Sequence, residues 1–225
     1  MRASISTKGA ADAPGALAYN LAGIAVLVLL LAVGLAYLID RASQAGARDL
    51  PRLGDGANVQ QTIAGRDLDI PESWFRYGEQ IRSGFASQAD LRFMLALDPE
   101  AAPLPVDVTL LPRSRARASS ALLDSVYLHQ FAEGSLGGVP GLVGKTLLPQ
   151  EGYAGEKVWY DPLSPAPFVA KCAEAVEPSR PGLCLRTIHL PSGLAALLSF
   201  DATALPHWRR FDEELALWLG QIGAL

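Results

Sequence analysis

Cysteine is nearly absent from this chain of 225 residues: there are two, Cys172 and Cys184. Histidine is scarce as well, with three, and lysine supplies four of the 19 basic residues. A structural zinc site needs close-spaced Cys or His pairs, and none is present; His189 stands alone near the cysteines. No metal ligand set is expected. The net charge is −4, and the basic residues are scattered apart from Arg113, Arg115 and Arg117. Without a basic face to neutralise phosphates, no nucleic-acid partner is expected. The three arginines read as a solvated loop. There is no Gly-x-Ser-x-Gly elbow, no internal repeat and no low-complexity tract. Half of the chain is hydrophobic, which is enough to bury a core.

One stretch imitates a nucleotide site. "GGVPGLVGKT", residues 137–146, ends in Gly144, Lys145 and Thr146, as a phosphate-binding loop does. The first glycine of that motif belongs at position 139, where the chain has Val139. A working loop of this kind also runs from a strand into a long helix. Pro149, Gly152 and Gly155 follow here and forbid one. No nucleotide or other cofactor is expected. The glycines read as a connection that turns tightly.

The strongest signal is "ALAYNLAGIAVLVLLLAVGLAYLI", residues 16–39, which carries no charge. At ~1.5 Å per residue it reaches roughly 36 Å, enough to cross a ~30 Å hydrocarbon core with some tilt. Tyr19 and Tyr37 fall near its two ends, at interface spacing. A signal peptide's apolar region is shorter, about 7–15 residues, so an uncleaved anchor is expected despite the small residues Ala45-Gly46-Ala47. Ala18 with Ala22, and Ala32 with Ala36, give it faces that suit helix packing. Arg2 and Lys8 precede the span; Arg41, Arg48 and Arg52 follow it. That count leans against export of the C-terminal side, but long domains translocate largely regardless of charge.

The cysteines bear on the same question. Both sit in stretches that read as strands, joined by the loop formers Pro178, Ser179, Arg180, Pro181 and Gly182. Adjacent strands would place Cys172 and Cys184 for a disulfide, worth about 3 kcal/mol in the chain-entropy model. Persistent disulfides belong to oxidising compartments such as the periplasm. The alternative is two buried thiols acting as small hydrophobes. The layout expected is a cytoplasmic tail (1–15), a membrane helix (16–39), a polar linker (40–58) and an exported domain (59–225).

That domain reads as α+β. A hairpin is expected over 59–71 with its turn near Ala64-Gly65-Arg66-Asp67. Residues 89–98 alternate as a strand, and 106–112 form its antiparallel partner. A middle helix is expected over 118–134, ended by Gly134. Strands follow at 156–160 and 167–175. "CLRTIHL" and "LAALLSF", joined by Pro191-Ser192-Gly193, form the clearest hairpin. The end of the chain reads as an amphipathic helix with the stripe Trp208, Phe211, Leu215, Trp218 and Ile222. About six antiparallel strands with two helices packed on them are expected.

No catalytic group emerges. His129 and Glu133 would share a helix face, but no third partner can be named. Asp212, Glu213 and Glu214 are too close in sequence to face one another and read as the solvated side of the last helix. Partner contact is a better prospect. Trp74, Phe75, Arg76 and Tyr77 in "IPESWFRYGEQIRSGF", with Tyr153 and Trp159 in "GYAGEKVWY", are the side-chain types of interface hot spots. The same aromatics would also serve as core plugs.

Together "IPESWFRYGEQ", "GLVGKTLLP…GYAGEKVWY" and "FVAKCAEA…CLRTIHL" resemble uncharacterised bacterial single-pass, membrane-anchored proteins across most of residues 59–222. The resemblance implies a location in the bacterial inner membrane and brings no activity. The expected role is therefore a non-enzymatic envelope protein whose periplasmic domain binds another membrane or envelope protein. A small-ligand or sensory domain is the alternative, and an enzyme without a recognisable motif comes third.

Overall fold

The computed structural model describes residues 14–45, 50–149, 155–175, 177 and 179–225. The chain divides into two units, Met1–Asp49 and Leu50–Leu225. The first holds helix α1 (Pro14–Ala45), which contains the whole apolar stretch 16–39. Its side chains are described from residue 23 to 38, and all of them are exposed. Among the described residues no helix is long and apolar enough to cross a membrane.

The second unit is a mixed α+β domain with antiparallel sheets, as expected. β1 (Asn58–Ile63) and β2 (Arg66–Pro71) form the first hairpin. Ala64 and Gly65 make its turn, with φ of 51° and 79°. Two residues in this left-handed region give the turn whose twist suits a tight hairpin. The two-residue β3 (Gly84–Phe85) lies parallel to β1 and completes a small sheet.

Among the described residues the main sheet has seven strands, where about six were expected. They are β4 (Ala89–Leu95), β5 (Leu104–Pro112), β6 (Val143–Thr146), β7 (Glu156–Tyr160), β8 (Val169–Ala173), β9 (Leu183–His189) and β10 (Leu194–Asp201), in the order β4-β5-β10-β9-β8-β7-β6. Every neighbouring pair is antiparallel. Two further helices are α2 (Ser119–Ser125) and α3 (Trp208–Gln221).

Strand parity builds the core. The register aligns Leu91, Val108, Leu198 and Arg186 in one row, and Phe93, Val106, Phe200, Cys184 and Cys172 in the next. Period-two alternation sends all of these to one face. The expected stripe of α3 joins the same core: Phe211, Leu215, Trp218 and Ile222 are buried, and Trp208 is half-buried. Trp74, Phe93 and Trp218 meet with centroids 4.6–5.3 Å apart. On the other face Leu123 and Tyr127 cover Leu147, Val158 and Val169.

Three boundaries differ from expectation. The middle helix does not reach Gly134. It ends at Ser125, a 3-10 turn follows over Tyr127–Gln130, and Phe131 pairs with Leu147. The Ala132 N–H donates to the Thr146 carbonyl at 2.9 Å. Sheet-edge bonds and the stacking of Phe131 on Tyr160 thus override local helix propensity there. The glycine-rich connection contains a strand, β6, although Gly134, Gly138 and Gly141 do turn the chain with positive φ. Within the stretch 40–58, α1 runs to Ala45, and the second unit begins at Leu50. Pro51 is buried, and the Arg52 carbonyl accepts the indole N–H of Trp74 at 3.1 Å.

Candidate functional site

The pairing of β8 with β9 stops at Lys171 and Leu185. Beyond that point β8 continues beside β7, with Ala170 opposite Trp159 and Val169 opposite Tyr160. The sheet therefore opens into a wedge between Val169 and the Arg186–His189 end of β9. The first turn of α2 enters the wedge: the Ser119 hydroxyl accepts the Thr187 backbone N–H at 2.8 Å. α3 closes one side. The result is a cleft of about 490 Å³.

Its apolar walls include Val169, Leu190, Leu215 and Leu219, with Ala166 and Ala216 leaving room between them. Polar side chains from β9, α2, α3 and the segment before α2 also line it. Arg186, buried, meets Asp212 through two parallel N–H···O bonds, Nη1 to Oδ1 and Nη2 to Oδ2, the latter 2.9 Å. Its guanidinium also lies over the Phe168 ring, 4.2 Å from the centroid. His189 donates Nε2–H to the Ala116 carbonyl at 2.8 Å, which leaves Nδ1 as an acceptor in the neutral ring. Ser120 stands beside Ser119, and Arg113 lies at the rim. Among the described residues neither serine bonds to His189, and Asp212 bonds to Arg186. These contacts hold the wall in shape; none forms a proton relay.

Trp74 and Phe75 are almost fully buried and Trp159 is 8 % exposed, so these three are not a partner surface. Large aromatics gain most from the core, and these have been drawn into it. Arg76 is half-buried in an ion pair with Asp107, N to O 3.1 Å, and lies over the Tyr77 ring. Tyr77 remains exposed, while Tyr153 lies outside the described residues. Cys172 and Cys184 are opposite each other on β8 and β9 and form a disulfide.

Lys145 is on β6, where its Nζ donates to the Gly134 carbonyl at 2.6 Å. Gly144 has no room for a side chain: an added Cβ would lie 2.6 Å from the Trp159 ring. Asp212 is not simply solvated, since it pairs with Arg186, and Glu214 faces Arg210 at 3.6 Å. The arginine run divides. Arg113 reaches the cleft, and Arg115 donates to the Ser87 carbonyl at 3.2 Å. Among the described residues no group of three or more His, Cys, Asp or Glu is placed for a metal ion.

Sequence reasoning missed Arg186. The available signal was parity: in "CLRTIHL" it shares a strand face with Cys184 and Ile188, an odd place for a charge. Comparison with family models, curated proteins and solved structures finds no match to this chain.

Proposed function

We propose that this chain is a membrane-anchored envelope protein whose exported domain binds a small ligand in the cleft between α2 and α3. The observation that carries this reading is the convergence of Arg113, Ser120, Arg186 and His189 on apolar walls. Ligand sites are concave, mostly apolar and fitted with a few placed polar groups. The Cys172–Cys184 disulfide supports an oxidising compartment. The uncharged stretch 16–39, and the resemblance to single-pass membrane-anchored proteins, support an anchor in a bacterial inner membrane.

A second reading is docking on another envelope protein. Of the expected partner surface, Tyr77 is exposed, with Arg76 over its ring beside Arg92 and Asp107.

Two measurements test the first reading. Maleimide labelling in intact cells and in denatured extract, with and without reductant, should label the cysteines only after denaturation and reduction. Labelling of denatured protein without reductant would remove the argument for export. Native mass spectrometry of the purified full chain should show a bound small molecule that Ala216→Trp, which fills the cleft, removes. A molecule retained equally by that variant would place the ligand elsewhere.

A further inference from the structure

We infer that the cleft takes a small amphipathic anion, with its acidic group on Arg113 and its apolar body against Leu190, Leu215 and Leu219. This rests on the binding reading above and is independent of where the cell keeps the domain.

Charge sets the sign of the ligand. Two arginines line the cleft, and Asp212 neutralises Arg186. Arg113 has no carboxylate partner among the described residues. Of the other groups at the rim, the Leu225 oxygen accepts from Arg66 Nη2 at 2.8 Å, and His189 donates to the Ala116 carbonyl. The rim therefore carries one positive charge in excess. A guanidinium offers paired N–H groups in a plane that match a carboxylate.

Shape sets the rest. A cleft of about 490 Å³ falls within the range for small-molecule sites. A bare inorganic ion would leave its leucine walls wet, whereas an apolar body displaces that water. The wedge comes from the divergence of two strands, and the Arg186–Asp212 and Ser119–Thr187 contacts hold α3 and α2 against it.

The test uses the full chain in nanodiscs of zwitterionic lipid, with empty discs as reference. Hexanoate, 1-hexanol and hexylammonium share one apolar body and differ in the head group. Saturation-transfer NMR titrations should show hexanoate binding at least about tenfold more tightly than hexanol, the worth of a charge-assisted hydrogen bond, and no binding of hexylammonium. Arg113→Gln should weaken hexanoate about tenfold and leave hexanol unchanged. Ala216→Trp should abolish both; should that variant unfold, Ala166→Phe, also in the lining, replaces it. Equal affinity for hexylammonium, or an unchanged affinity for hexanoate in Arg113→Gln, overturns the inference. Should hexanoate fail to bind while Ala216→Trp still removes a retained molecule, the anion assignment falls and the binding reading stands.

Discussion

Arg186 on β9 and Asp212 on α3 are joined by two parallel hydrogen bonds across the helix–sheet interface, with side chains 7 % and 53 % exposed. The arginine occupies a row of core residues that otherwise holds Leu91, Val108 and Leu198. Breaking a fully buried pair costs 3–5 kcal/mol, because a charge is left buried and alone. Water reaches Asp212, so Asp212→Asn is expected to cost about 2 kcal/mol in denaturant unfolding. Arg186→Met with Asp212→Ala should cost less than Asp212→Asn alone, since no buried charge remains. A single-variant cost below about 0.5 kcal/mol, the size of a surface pair, would mean that water also reaches Arg186.

The disulfide closes a sequence separation of 12 residues between paired strands. Replacing both cysteines by alanine should lower stability by about 3 kcal/mol through the freer unfolded chain. Urea unfolding of the wild-type protein with reductant should reproduce the loss. Identical midpoints with and without reductant would show that the bridge contributes nothing.

Asp90 on β4 predicts an acid dependence. Burial pushes its carboxyl upward, but hydrogen bonds from Thr109, Gln88 and Gln80, with the charge of Arg76, outweigh burial and hold it below the usual carboxylate value. A carboxyl depressed in the folded state stabilises at pH above its unfolded value, about 3.9. That contribution disappears as pH falls through the lower folded value. Urea midpoints of wild type and Asp90→Asn should therefore converge on acidification through this window. At neutral pH the variant should be weaker by about 1–3 kcal/mol, because its amide faces the donors of Gln80 and Gln88. A gap that does not change with pH would refute the assignment.

Trp218 and Tyr77 separate core from surface among the aromatics. Trp218 is 2 % exposed and packs on Trp74 and Phe93, so Trp218→Ala should cost about 3–5 kcal/mol. Tyr77 is 43 % exposed, and Tyr77→Ala should stay within about 1 kcal/mol. Thermal unfolding compares the two. Equal losses would make Tyr77 part of the packed core.

Gly144 tests the resemblance to a phosphate loop. Gly144→Val pushes a side chain into the Trp159 ring and should cost about 1–3 kcal/mol through overpacking. Lys145→Ala removes only a hydrogen bond to Gly134 and should cost about 1 kcal/mol or less. Added ATP should not raise the melting temperature of the wild type. A rise that Lys145→Ala abolishes would restore a nucleotide site.

What the sequence determined is what repeats with short period. The alternation over 89–95, the tight turn at Ala64-Gly65, the β9–β10 hairpin and the stripe of α3 were each visible, because neighbours along the chain set them. The disulfide was visible for the same reason: its cysteines lie on strands joined by a short loop. Contacts between distant segments were not visible. Phe131 leaves the helical register because Leu147 and Tyr160 bind it, and β6 forms because β7 offers an edge. Trp74 and Phe75 look like an exposed cluster until the core claims them. The cleft depends on where β8 parts from β9, on α2 entering the gap and on α3 folding back with Asp212. Its polar groups span residues 113 to 212, and only the tertiary fold brings groups so far apart along the chain onto one wall.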